Sequence, residues 1–350
     1  MVGQGGSGVA GLVPHGAEGL TSSWLSAALQ RDCRITAVSR TGEAYGFAGD
    51  TYRVHISGLD GPSVVVKLWD TAGIANDREV HFYRELAPTA PIRLAACYFG
   101  AVDAAELRAV LVLEDLAPLR QGDVMVAEAS DSLRQIVAAV AAIHAHYWGD
   151  RTLDGTEWLL DATGSRRTSE WFASRRYEFL DRFGPVANET AAWLFGRLPE
   201  ANAAGSSVLG GSESTLLHAD LHLDNIVFVD DGTTPILLDW AMCGRGPAVL
   251  DLAEIVFQMA PGEAVAGLVR HYVAELRRYG LEGVTTDEVM EQLGGALLWK
   301  FATWTLGVAR WYPTSERGKA TIRPMLDRAE EAVATWDRIR PGWLKSQVDG

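Results

Sequence analysis

Residues 216–228 read LLHADLHLDNIVF and set His218, Asp220, His222, Asp224 and Asn225 within eight positions, flanked by apolar runs. A core strand could not bury so many polar groups unpaired, and a solvated loop has no need of groups with such matched reach. Two chemistries fit. The alternating histidines and acid could hold a metal, or the stretch could be a phosphoryl-transfer loop, where an acid and an amide serve a triphosphate.

A second acid bears on the choice. The runs IVFV (226–229) and ILLD (236–239) are joined by DDGTTP. Two strands joined by a short turn run antiparallel, so the end of the second returns to the start of the first. Asp239 is thereby expected beside Asn225, fourteen positions away. An acid, an amide and another acid at one rim suit Mg²⁺, a hard ion that takes few protein oxygens and completes its shell with phosphates.

The elements that must hold this rim fall into two groups. A helix is expected over 21–30, after hydroxyl N-cap candidates. Strands follow over 50–56 and 63–69, joined by the turn-forming Gly58–Pro62. A helix over 76–86 and strands over 96–102 and 108–114 complete a small, mostly antiparallel sheet within residues 32–115. Helices then dominate, over 131–148, 169–183, 189–198, 250–280, 286–311 and 321–338. The apolar stretch Leu293–Val308 is broken by Lys300 and falls short of the ~20 residues that span a bilayer, so it reads as a buried helix. The expected division is a flexible tail over 1–18, a β-rich N-lobe over 19–115 and a helical C-lobe over 116–350.

A length of 350 residues favours two lobes with a cleft between them. With 48% apolar and 22% charged residues the chain can bury a sizeable core. Its net charge of −14 argues against nucleic acid or an anionic membrane as partner. The charge is compatible with a cationic substrate. The three cysteines, Cys33, Cys97 and Cys243, are scattered without a CxxC pair, which fits a reducing cytoplasm. The N-terminus shows no signal-peptide pattern.

The loop HADLHLDN resembles the catalytic loop of the aminoglycoside phosphotransferase and choline kinase family, a small-molecule branch of the protein-kinase-like fold. His218, Asp220 and Asn225 match its H-x-D-x₄-N pattern, Asp239 in ILLDW matches its metal-binding aspartate, and Gly246, Pro247 and Asp251-Leu252-Ala253 match a later element. The wording of GFAGDTYRV, EVHFYREL and LVLEDL is nearest to the ecdysteroid-kinase-like branch. The resemblance implies an α+β, bilobal fold and transfer of the γ-phosphate of ATP to a hydroxyl of a small molecule. That acceptor would be an aminoglycoside or nucleoside antibiotic, a sugar or an amino alcohol. It implies ATP and Mg²⁺ as cofactors, with Asp220 as base and Asn225 and Asp239 on the metal. Lys67 would contact the α/β-phosphates and Glu79 would pair with it. Gly46 and Gly49, in the loop 42–54, would cover the triphosphate, and Glu114 and Leu116 would meet adenine at the hinge.

Each residue also has a plainer reading. A lysine in an alternating strand usually faces solvent, an acid like Glu79 is ordinary on an amphipathic helix, and the glycines 42, 46 and 49 depart from G-x-G-x-x-G. His218 reads as structural, Asp224 as a solvated acid and Asp251 as an anchor for the loop. The rival from another class is a metal-dependent hydrolase built on His218, Asp220 and His222, for which His144 and His146, on a core-like helix, supply no second cluster. A catalytically inactive kinase-like binder is the third reading. The acceptor pocket is expected among the aromatics Trp158, Trp171, Trp193, Trp299, Trp304, Trp311 and Tyr312, near the acids Asp154, Glu157 and Asp161.

Overall fold

The computed structural model describes residues 13–41, 49–58, 61–72, 76–162, 168–229, 234–260, 262–313 and 315–350. Helix α1 (Ser22–Leu29) starts where the Thr21 hydroxyl accepts the Trp24 N–H at 3.2 Å. The strands β1 (Arg34–Thr41), β2 (Asp50–Ser57), β3 (Ser63–Asp70), β4 (Cys97–Asp103) and β5 (Arg108–Glu114) pair antiparallel in the order β1-β2-β3-β5-β4. Strand period decides which face each residue serves. Val64, Val66 and Leu68 of β3 are buried with Tyr52, Val54, Ile56, Val110 and Val112, and Val13, Leu20 and Leu25 cover that face. Lys67 takes the alternate position and meets α2 (Arg78–His81), which continues as a π turn over Phe82–Leu86.

The remainder is mainly helical, with short strands. In chain order come β6 (Arg120–Gln121), α3 (Ser130–His146), β7 (Leu160–Asp161), α4 (Ser169–Phe183), α5 (Glu189–Phe195), α6 (Leu198–Leu209) and β8 (Ser214–Leu217). The hairpin β9 (Ile226–Phe228) and β10 (Pro235–Leu237) follows, then β11 (Gly244–Pro247). The chain ends in α7 (Val249–Gln258), α8 (Val265–Arg278), α9 (Thr286–Gly307), α10 (Glu316–Ile339) and α11 (Trp343–Val348). Its core is continuous with Trp69, Val80, Phe82 and Tyr83 of the first layer, so α2 is packed from both sides.

Several expectations shift. The helix expected over 250–280 is two helices, since MAPG at 259–262 contains the breakers Pro261 and Gly262. Strand β1 went unread because it is largely exposed and carries no clean apolar alternation. Strand β6 pairs with β9 and β11 bridges β7 and β8; such short runs leave no periodicity to read. Lys300 is buried in α9 and paired with Glu254 of α7, whose other oxygen accepts from Gln258 at 2.8 Å. A buried charge of this kind is tolerable only when paired. No helix among the described residues is long and apolar enough to cross a membrane.

Candidate active site

The Lys67 amine lies 2.6 Å from Glu79 Oε2 and 2.9 Å from Asp239 Oδ1. Burial acts to lower the lysine pKa, but the carboxylates of Asp239 and Glu79 outweigh it and hold the amine above its ordinary value. Glu79 is pushed up by burial against the pull of Lys67. Asp239 is held below the ordinary carboxylate value because Lys67, with His218 and His222, more than offsets its burial. Lys67 occupies Oδ1 of Asp239, and the side chain keeps 31% of its surface exposed.

Asp239 sits two residues beyond the end of β10 with φ 59°, in the left-handed region. Holding a non-glycine residue there costs on the order of 1–3 kcal/mol. Packing around the next residues holds it. Trp240 is fully buried and stacks face to face on Phe82, with centroids 4.0 Å apart and planes 6° apart. Arg78 donates to the Ala241 carbonyl and, through Nε, to the Trp158 carbonyl at 3.1 Å. Arg78 was not read from the sequence: its only signal is adjacency to Glu79, and a buried arginine cannot be told locally from a solvated one.

The loop before β9 is gripped from beneath. Asp251, at the start of α7, accepts the His218 N–H at 2.8 Å and the Ala219 N–H at 2.9 Å, and its Oδ2 lies 3.3 Å from His144 Nε2. Ala219 has φ 61°, so this grip restrains a strained residue. His218 Nε2 donates to the Leu238 carbonyl at 2.9 Å while Nδ1 accepts the Asp220 N–H at 3.3 Å. Both its ring nitrogens are therefore engaged, as a structural histidine's would be. Among the described residues no group of three His, Cys, Asp or Glu is placed to hold a metal. Asn225 accepts the Leu238 N–H through its backbone carbonyl at 2.8 Å, so the hairpin does bring Asn225 and Asp239 together.

Asp251 also supplies a pH signature. Burial raises its pKa, but the hydrogen bond and charge of His144, then the charge of His218, bring it below the ordinary carboxylate value. A folded value below the unfolded one gives stability that is full above about pH 4 and is lost as pH falls through the folded value. The melting temperature of wild type should exceed that of Asp251→Asn by a constant margin from neutral pH to about pH 5, then by a shrinking one. A margin that stays flat to pH 3 contradicts this.

A cavity of about 340 Å³ opens between β3 and the hairpin, lined by Lys67, Glu79, Asn225, Asp239, Gly49, Glu114 and Leu116 among others. Gly49 is required for packing: a Cβ there would lie 2.5 Å from the Leu68 carbonyl oxygen and 2.8 Å from Trp69 Cβ. Gly42 and Gly46 lie outside the described residues. Glu114 spends its carboxylate on Arg93 and the Ala96 N–H, at 2.9 and 3.1 Å. The Leu116 carbonyl accepts the Leu119 N–H at 2.8 Å. Asp115, between them, is clamped by Arg53 at 2.7 and 3.2 Å and by the Ser63 hydroxyl at 2.6 Å.

One reading is corrected. Asp224 is buried, not solvated: its Oδ1 accepts from the Val124 N–H at 2.8 Å and from Arg317 at 2.9 Å. The helix carrying His144 and His146 is packed in the core, with His144 buried and His146 on its exposed face. Of the acids near the expected acceptor pocket, Asp154 and Asp161 are engaged by Arg245, at 2.7 and 3.4 Å. Among the described residues, none of Trp158, Trp171, Trp193, Trp299, Trp311 and Tyr312 lines the cavity, and the side chain of Trp304 lies outside the described residues. Trp171, Trp193 and Tyr312 carry arginines 5.5, 5.0 and 4.1 Å from their ring centroids.

Solved structures share this fold. A Plasmodium vivax ethanolamine kinase is 11% identical with a TM-score of 0.55, over 89% of this chain and 84% of its own. A choline kinase from Streptococcus pneumoniae is 15% identical with a TM-score of 0.51, over 86% and 94%. The GDP complex of an aminoglycoside 2'-phosphotransferase is 13% identical with a TM-score of 0.53, over 86% and 93%. At these identities the likeness establishes the fold, which is protein-kinase-like. The sequence itself matches the phosphotransferase enzyme family, APH, over residues 44–284. The chain belongs to that family, and with it to the small-molecule phosphotransferases.

Proposed function

We propose that this protein transfers the γ-phosphate of ATP to a hydroxyl of a small molecule, with Mg²⁺ as cofactor. One observation carries the reading: Lys67, Glu79, Asn225 and Asp239 converge on one cavity, with Asp220 in the adjoining loop. Residues 19–115 would bind the nucleotide and 116–350 the acceptor. Asn225 and Asp239 fit the metal because they offer oxygen ligands without a closed protein cage, leaving room for phosphates and water. Bound there, the ion would neutralise charge on the transferring group. Lys67 places a cation against the α/β-phosphates, Glu79 aims that cation, and Leu116 offers its backbone N–H to the adenine. Asp220 accepts the proton of the acceptor hydroxyl, or orients it.

The acceptor is an aminoglycoside or nucleoside antibiotic, a sugar or an amino alcohol. Incubation with Mg·ATP and a panel of these, reading ADP release above the acceptor-free rate, tests the activity. A panel without stimulation at any pH between 6 and 9 goes against it.

Lys67→Ala is expected to weaken nucleotide binding about ten- to hundredfold, from the ~1.5–3 kcal/mol of a hydrogen bond to a charged group. Glu79→Ala should give a smaller defect of the same kind. Titrating ATP against both variants decides: unchanged affinity and turnover in each leaves the ion pair a purely structural one.

A further inference from the structure

The Asn225 amide is surrounded by acceptors. Its Nδ2 lies 3.0 Å from the Asp220 backbone carbonyl, 3.4 Å from Asp220 Oδ2 and 3.0 Å from His222 Nε2. A carbonyl oxygen can only accept, so the amide nitrogen, not its oxygen, faces it. The two N–H protons are then shared between that carbonyl and His222 Nε2. This makes Nε2 the unprotonated nitrogen and places the imidazole proton on Nδ1. His222 is 8% exposed, and its Nδ1 is buried with no partner among the described residues. The ring thus holds a tautomer that serves Asn225 while its own N–H stays unsatisfied.

One acceptor alone would let the amide swing about its side-chain torsion; two acceptors fix its plane. The oxygen Oδ1 is thereby turned from the loop and meets no donor among the described residues, although Asn225 lines the cavity that Asp239 also lines. We infer that His222 is a positioning residue: by accepting from Asn225 Nδ2 it fixes the amide so that Oδ1 is presented as an oxygen ligand beside Asp239. The inference rests on the proposed Mg²⁺ role of Asn225. It gives the second histidine of HADLHLDN a task that neither hydrolysis nor general-base chemistry assigns it. Outer ligand partners of this kind typically govern metal affinity by 10–100-fold.

The test is Mn²⁺ binding to the full-length protein in the presence of ADP, followed by electron paramagnetic resonance, with melting temperature recorded for every variant. His222→Leu keeps the volume but offers no acceptor and should weaken Mn²⁺ binding about 10–100-fold. His222→Gln, whose Oε1 can take the place of Nε2, should stay within about threefold of wild type on the same scale. Equal Mn²⁺ affinity in wild type and His222→Leu, with Asn225→Ala weakened, overturns the positioning role and leaves the metal assignment standing. If Asn225→Ala itself binds Mn²⁺ like wild type, the metal assignment fails first and the inference falls with it. Equal losses in the Leu and Gln variants point to packing alone and also overturn it.

Discussion

Asp239→Asn is expected to lower transfer by about 10²–10³-fold or more, the cost of removing one preorganised charge from a transition state. The substitution keeps the side-chain shape and one oxygen, so the left-handed turn and the Phe82–Trp240 stack survive. What it removes is charge. Lys67 then faces Glu79 alone, 2.6 Å away, and the rim loses the carboxylate proposed to hold Mg²⁺ against the phosphates. Raising Mg²⁺ should restore little. The wild-type protein should require Mg²⁺ or Mn²⁺ together with a nucleoside triphosphate and should ignore zinc chelators. Zinc-dependent hydrolysis without nucleotide, lost on changing His218 or His222, would sink the phosphotransferase proposal.

Asp220→Ala should cost about 10²–10⁴-fold in turnover while ATP affinity stays close to wild type. The separation follows from geometry. Asp220 is anchored by its backbone, through the Asn225 amide at 3.0 Å and His218 Nδ1 at 3.3 Å, while its side chain keeps 43% of its surface exposed. The carboxylate can thus be deleted without dismantling the loop, and it is free to reach an acceptor. A variant with near-wild-type turnover on a verified acceptor would remove Asp220 from the chemistry; lost ATP binding would mean that it supports the nucleotide side.

The site's short-range parts were legible because local rules place them. Hairpin pairing alone brings Asp239 to Asn225, and period two alone puts Lys67 opposite the Val64–Val66–Leu68 face. Period two does not say which face meets another element, so the contact of Lys67 with Glu79 needed α2 to fold back over β3. Long-range partners were not legible at all. Asp224 looks solvated in a polar loop, yet Arg317, 93 positions later, and the Val124 N–H bury it. Arg78 is equally opaque, because the carbonyl it serves belongs to Ala241, 163 positions on. Gly49 resembled a phosphate-loop glycine, and what the structure shows for it is the close passage of β3. The exposed edge strand β1 left no apolar pattern to detect.

The stack of Phe82 on Trp240 has a mechanical corollary. Two buried rings 4.0 Å apart cannot slide without opening a void, and Arg78 ties the same helix to Ala241. Helix α2, with Glu79, and the segment carrying Asp239 therefore ride as a single rigid body. Under the proposed phosphotransfer, the cation between these two carboxylates would begin each turnover already placed, and little reorganisation would be needed.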